Sequence, residues 1–88
     1  MITSSQLSIL RREFSSCADD FGGAFATLRS YDLSASGDTI YLSCSFTSCG
    51  DPSDEADIKR EIKNFIAQVC SRFGINGYLS LSCRFSYH

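Results

Sequence analysis

The chain has 88 residues, a formal net charge of −2 and a sequence isoelectric point near 5.1. This length predicts one domain, residues 1–88, with a single hydrophobic core. The acidic balance argues against duplex DNA as a partner, since phosphate neutralisation by basic residues supplies much of that affinity. No apolar run reaches the roughly 18 residues of a membrane-spanning helix, and the first residues lack a secretory-signal pattern. We therefore expect no membrane partner.

Residues 4 to 21 have the spacing of an amphipathic helix. Apolar residues recur at intervals of three and four and therefore lie on one stripe of the helix. They are Leu7, Leu10, Phe14, Cys17 and Phe21. Ser4 or Ser5 is the expected N-cap, and Gly22-Gly23 is the expected stop, because glycine is unfavourable inside a helix. The same spacing continues through Ala24 and Leu28, so a helix that runs past the glycines is the alternative.

A β-hairpin is predicted from Ala24 to Cys49, with its turn at Ser36-Gly37-Asp38. In the second strand, Thr39 to Thr47, apolar and polar residues alternate regularly. The residues expected to face the core are Ile40, Leu42, Cys44 and Phe46. The first strand, roughly Phe25 to Leu33, alternates poorly. Regular pairing would place Arg29 on the core face opposite Cys44, so we expect a bulge or a shifted register there.

The second helix is predicted to begin in an acidic segment, where Asp51 would cap it and Pro52 would be its first residue. Its apolar stripe consists of Ile58, Ile62, Phe65, Ile66, Val69 and Phe73. Gly74 stands where a left-handed C-cap is expected. Asn76-Gly77 is then a turn into a last strand, residues 78 to 88, in which every second residue is apolar.

The order α-β-β-α-β predicts an α+β fold, a two-layer sandwich with both helices packed on one face of a three-stranded sheet. If the last strand pairs in parallel with the second, the crossover should be right-handed. The order is similar to that of small modules such as the BON-type and KH-like arrangements, although the GxxG clamp between helices is absent.

The polar halves of the second and third strands would form an open sheet face, which is the predicted partner-binding surface. Its residues are Tyr41, Ser43, Ser45, Tyr78, Ser80, Ser82 and Arg84, with Ser86 beyond them. Tyrosine and serine together are enriched in recognition surfaces, and tyrosine and arginine favour interface hot spots. The alternatives are a solvated face without a partner and, less favoured, a single-stranded nucleic-acid surface.

Two further surfaces follow from the pattern. The last strand is long, apolar on one side and nearly free of charge, which favours pairing with another chain, so a homodimer through this sheet edge is one expected arrangement. Lys59, Arg60 and Lys63 form a small basic ridge on the second helix. We interpret this ridge as a solvated face, partly offset by Glu55 and Glu61.

The five cysteines would suggest a disulfide framework if their number were even. Cys17 and Cys70 fall on apolar helix faces, and Cys44 and Cys83 on apolar strand positions, where a free cysteine behaves as a small hydrophobic residue. Only Cys49 has the neighbours of a loop residue. We therefore expect free thiols and a cytoplasmic protein.

Groups for catalysis are scarce in this sequence. His88 is the single histidine and stands at the last position; no phosphate-binding glycine loop and no CxxC pair is present. The acidic residues after Asp51 lack the spacing of a calcium loop. We therefore expect no enzymatic activity, no catalytic residues, no bound metal and no cofactor.

These observations favour a non-enzymatic protein-binding module, either an adaptor or a stoichiometric inhibitor of a larger assembly. In size and acidic charge the chain resembles small α+β proteins encoded by phages or mobile elements, including anti-CRISPR proteins. That resemblance implies an inhibitor. The rival hypothesis is a single-stranded nucleic-acid-binding protein that uses the same open face.

Overall fold

The computed structural model describes residues 1–21, 26–50 and 52–87. The chain forms α1 (Ser4–Cys17), a short 3₁₀ helix (Ala18–Asp20), β1 (Ala26–Ser36), β2 (Thr39–Ser48), α2 (Asp54–Phe73) and β3 (Tyr78–Tyr87). β2 is the central strand, with β1 antiparallel on one side and β3 parallel on the other. The predicted α+β sandwich with its α-β-β-α-β order is confirmed. Among the described residues, neither helix has the length and apolar character needed to cross a membrane.

α1 begins and ends differently from the prediction. Thr3, rather than Ser4 or Ser5, is the N-cap, because its Oγ1 accepts from the Gln6 backbone N–H at 3.1 Å while Gln6 Oε1 accepts from the Thr3 N–H at 3.0 Å. This reciprocal capping box satisfies two backbone donors where a lone serine would satisfy one.

The regular turns of α1 stop at Cys17 and tighten into the 3₁₀ helix, so the predicted end at residue 21 is wrong. The backbone of Phe21 is already extended, and its buried ring stacks on Phe14 with ring centroids 5.4 Å apart. A helix that continues through the glycines is therefore also wrong. Gly22-Gly23 and Ala24 themselves lie outside the described residues.

The expected bulge in β1 is confirmed at Arg29. Leu28 pairs with Phe46 and Ser30 with Ser45, so Arg29 is the extra residue between them. The residue opposite Cys44 is Tyr31, so Arg29 does not take the core-face position that regular pairing would give it. A buried guanidinium without a partner is costly. The bulge turns Arg29 outward, where its Nε donates to Thr47 Oγ1 at 3.0 Å.

α2 begins two residues after Pro52, which is therefore not its first residue, and the Pro52 carbonyl accepts from the Glu55 N–H at 3.2 Å in a turn before the helix. The predicted cap Asp51 lies outside the described residues. Gly74 closes the helix in the left-handed conformation, with φ 66°, as predicted. Phe73 does not belong to the buried stripe, since 37% of it is exposed beside the guanidinium groups of Arg12 and Arg72.

The core lies between the sheet and the two helices. Its most deeply buried side chains come from α1, β2 and α2, and they are Leu10, Phe14, Ile40, Leu42, Cys44, Phe46, Ile62, Ile66 and Val69. The core-side residues of β3 are only half-buried, and they are Leu79, Leu81, Cys83 and Phe85. β3 therefore contributes to the core from its margin.

Candidate functional site

The parallel pairing of β2 with β3 brings the predicted surface residues onto one sheet face. Tyr41 lies opposite Ser80, Ser43 opposite Ser82, and Ser45 opposite Arg84. We call this surface the hydroxyl face; its predicted members are Tyr41, Ser43, Ser45, Tyr78, Ser80, Ser82 and Arg84. All of them are exposed except Ser45, which is half-buried. Their side chains point away from the core because strand residues alternate between the two faces.

β1 extends the hydroxyl face, and the sequence prediction missed this third strand. Ser34 lies opposite Tyr41, Asp32 opposite Ser43, and Ser30 opposite Ser45. Residues 30, 32, 34 and 36 are polar, and this alternation could have predicted that β1 contributes to the face. The bulge at Arg29 shifts the alternation by one residue relative to the start of the strand, which conceals the pattern. The face is therefore three strands wide, with Asp32 as the one carboxylate in these rows.

The two tyrosines of the hydroxyl face stand at one end of it. Tyr41 is 46% exposed and Tyr78 is 76% exposed. Ser80 lies opposite Tyr41, and Tyr78 is two residues before Ser80. The two tyrosine side chains are therefore diagonal neighbours, within the reach of aromatic rings. They supply most of the apolar area on a surface that otherwise presents hydroxyl groups.

Two arginines stand toward the other end of the hydroxyl face. Arg84 lies opposite Ser45, and the bulged Arg29 reaches the same side through its hydrogen bond with Thr47. The six-residue step from Tyr78 to Arg84 spans about 20 Å of strand. Arg29 was missed by the sequence analysis because the bulge determines which way its side chain points.

The core side of the sheet contains a pair of thiols, one on β2 and one on β3. Cys44 and Cys83 occupy opposed positions on the parallel strands. The hydrogen bond with Cys83, together with burial and the Cys83 charge, raises the pKa of Cys44. The same hydrogen bond lowers the pKa of Cys83, aided by Lys59 and Lys63 and opposed by burial and Glu55. All five cysteines are free thiols.

Within residues 1–21, 26–50 and 52–87, no three His, Cys, Asp or Glu side chains come together as metal ligands would. His88 lies outside the described residues. The described chain presents one open sheet face with two exposed aromatic rings and two guanidinium groups.

Comparison with known proteins finds the fold elsewhere. No protein-family model matches the sequence, and no curated protein matches it either. A solved structure of a triple variant of the MamM CTD is similar, with a TM-score of 0.56 and 14% sequence identity. The match covers 94% of this chain and 99% of that chain. The likeness therefore concerns the path of the backbone over nearly the whole of both chains.

Proposed function

We propose that the chain is a non-enzymatic, cytoplasmic protein-binding module, an adaptor or a stoichiometric inhibitor, and that the hydroxyl face contacts its partner. The observation that carries the proposal is the pair of exposed tyrosines, Tyr41 and Tyr78, on a sheet face whose other members are short and polar. A tyrosine gives a partner a large contact area while losing little side-chain entropy. The five free thiols are in keeping with a reducing compartment.

The shape of the surface favours a macromolecule over a small molecule. Small ligands bind in concave pockets that enclose most of their surface, whereas the hydroxyl face is one side of an open three-stranded sheet, about 20 Å long between Tyr78 and Arg84. Serine and threonine hydroxyls both donate and accept hydrogen bonds. They can therefore satisfy the polar groups of a flat protein surface across all three strands.

The test compares what co-purifies from the native host with tagged wild type and with the double variant Tyr41→Ala, Tyr78→Ala. Tyr87→Ala is the matched control, because it removes an exposed tyrosine from β3 on the other side of the sheet. We expect a partner that mass spectrometry finds with the wild type and the control and not with the double variant. A partner retained by the folded double variant would exclude the hydroxyl face as its binding surface.

The position of Arg29 favours single-stranded nucleic acid as the second candidate. Arg29 adds a second guanidinium to Arg84 on the face that carries Tyr41 and Tyr78, and aromatic platforms beside cationic groups are what single strands bind. The formal charge of −2 opposes this candidate. If it is correct, the anisotropy of a fluorescent oligothymidine rises at low salt, and Arg29→Ala with Arg84→Ala abolishes the rise. Absence of binding at low salt removes the candidate.

A further inference from the structure

The two edges of the sheet are built differently. β1, at one edge, carries the bulge at Arg29, and its Leu33 carbonyl oxygen accepts a hydrogen bond from Arg11 Nε at 3.0 Å. Bulges and side chains that occupy edge backbone groups are the means by which proteins prevent strand addition. β3, at the other edge, pairs with β2 over its whole length without a register shift, and Arg84 is its one charged residue. Only the β3 edge is regular enough to accept a further strand.

An apolar row accompanies the β3 edge on the side that faces α2. Leu79, Leu81, Cys83 and Phe85 are half-buried and pack against the core from its margin. Near the start of β3 a groove of about 360 Å³ opens between the strand and α2. Its lining residues are Ile40, Lys63, Ile66, Ala67, Cys70, Gly77 and Leu79. A partner that extends the sheet would therefore find apolar contacts next to its backbone.

The flank of α2 beside this row is positively charged. Lys63 lines the groove, and Lys59 and Lys63 act electrostatically on Cys83 in the middle of β3. Glu55, one turn before Lys59, accepts a hydrogen bond from the Tyr87 hydroxyl. Neither lysine forms an ion pair with any other residue in the described part of the chain. The flank therefore offers two ammonium groups to a partner, while the carboxylate of Glu55 is engaged by Tyr87.

We propose that the β3 edge accepts an extended segment of another protein as a fourth, antiparallel strand. On the side that faces α2 this segment carries carboxylates near Lys59 and Lys63 and an apolar side chain that enters the groove. Main-chain hydrogen bonds supply affinity in such strand addition, and alternate side chains supply specificity. The partner is thus an acidic and apolar peptide segment, and the surface is distinct from the hydroxyl face.

A second copy of this chain fits the β3 edge less well. Antiparallel pairing of two β3 strands would bring the α2 flanks of both copies together across the symmetry axis. Lys59 and Lys63 of each copy would then face the same lysines of the other, and like charges opposed at an interface are unfavourable. An acidic segment instead neutralises them.

The test is a titration of the ¹⁵N-labelled full chain, followed by amide chemical shifts, with a capped nonapeptide of sequence TETETVTVT. Its glutamates and valines lie on one side of an extended strand and its threonines on the other. We expect the largest shifts at the amides of residues 79 to 85 and of α2 near Lys63. The matched probe TQTQTVTVT, which keeps the shape and removes the charge, should bind about threefold to tenfold more weakly.

Two double variants separate the site from general charge attraction. Lys59→Glu with Lys63→Glu should weaken binding of the acidic probe at least about tenfold. Arg60→Glu with Arg72→Glu changes the net charge of α2 by the same amount and should leave binding unchanged. Tyr41→Ala with Tyr78→Ala should also leave it unchanged, which keeps this result independent of the hydroxyl face.

Three outcomes would overturn the proposal. The first is the absence of shifts along β3 with about 1 mM peptide, a concentration that reveals even weak binding. The second is equal binding of the glutamate and glutamine probes. The third is a dimer of the wild-type chain in light scattering that persists in the double variant Lys59→Glu, Lys63→Glu and in excess acidic probe. If the amides of residues 79 to 85 are also protected from exchange in that dimer, a second copy occupies the edge.

Discussion

Arg11 Nε donates a hydrogen bond of 3.0 Å to the carbonyl oxygen of Leu33, so a side chain of α1 occupies a backbone acceptor of the edge strand β1. The contact joins residues 22 positions apart and ties the first helix to the sheet. It also removes an acceptor that a strand from another molecule could use. The helix layer therefore protects one edge of the sheet.

Replacing Arg11 should weaken the fold and expose the β1 edge. We expect Arg11→Met, which keeps most of the aliphatic stem, to lower the free energy of unfolding by about 1 kcal/mol and to increase self-association. Urea unfolding and light scattering measure the two effects. Arg12→Met is the control and should change stability by less than about 0.5 kcal/mol. If Arg11→Met matches that control in both measurements, the contact has no protective role.

Cys83 should be the most reactive of the partly buried thiols. The hydrogen bond from Cys44 lowers the pKa of Cys83, while the pKa of Cys44 is raised by the same pairing and by burial. The thiolate is the nucleophile, so iodoacetamide near neutral pH should modify Cys83 well before Cys44. Peptide mass spectrometry of a time course, made in a Cys49→Ala background to remove the exposed thiol, measures the order.

The lysines beside Cys83 provide the control for this prediction. Lys59→Gln with Lys63→Gln removes two charges that lower the pKa of Cys83 and should slow its modification. Modification of Cys44 ahead of Cys83 would contradict the directions of the two pKa shifts.

The stability of the fold should decrease as the pH rises above about 9. Folding raises the pKa of Cys44 above its ordinary value of 9.0, through the Cys83 hydrogen bond and burial, and burial is the largest cause of the raised pKa of Cys17 and Cys70. Each of these thiols keeps its proton in the folded chain where the unfolded chain releases it. Their stabilisation is therefore complete below pH 9 and is lost as the pH rises toward the folded pKa. The lowered pKa of Cys83 has the opposite effect on stability, but it concerns one thiol, whereas the pKa is raised for three.

Thermal melting between about pH 8 and pH 10 under reducing conditions measures this dependence. We expect the melting temperature to fall across the range for the wild type and to fall less for Cys44→Ala. A melting temperature that rises with pH would contradict the direction of these shifts.

Gly77 is required by the close approach of two backbones. A Cβ at this position would lie 2.7 Å from the Asp38 carbonyl oxygen, which also accepts a hydrogen bond from the Tyr78 N–H at 2.8 Å. We therefore expect Gly77→Ala to lower the free energy of unfolding by about 2 to 3 kcal/mol. Urea unfolding checks this value.

Gly37 is the matched comparison for Gly77. Its φ of 60° disfavours a side chain, but a Cβ there would meet nothing within 4 Å. Gly37→Ala should therefore lower stability by only about 1 kcal/mol, the cost of the left-handed conformation. If Gly77→Ala proves no more harmful than Gly37→Ala, the backbones at Asp38 and Gly77 can separate easily.

The strict alternation of polar and apolar residues allowed the central part of the hydroxyl face to be predicted from the sequence. In β2 and β3 every second residue is polar, and because a strand presents alternate residues to opposite faces, the exposed positions of Tyr41, Ser43, Ser80 and Ser82 followed from their spacing. The contribution of β1 to the same face could not be predicted in this way. A single extra residue at Arg29 changes the phase of β1, and period-two patterns carry no information across such a break.

The order of the elements and the division of β2 and β3 into a core side and a solvent side follow from the sequence alone, because both depend on local periodicity and on turn residues such as Gly37 and Gly74. Which groups meet across the chain depends on the tertiary structure. The contact of Arg11 with Leu33, the pairing of Cys44 with Cys83, and the position of Lys59 and Lys63 along the β3 edge join residues far apart in sequence. Such meetings depend on how helices are seated on a sheet, which is set by packing of the whole core rather than by any local pattern.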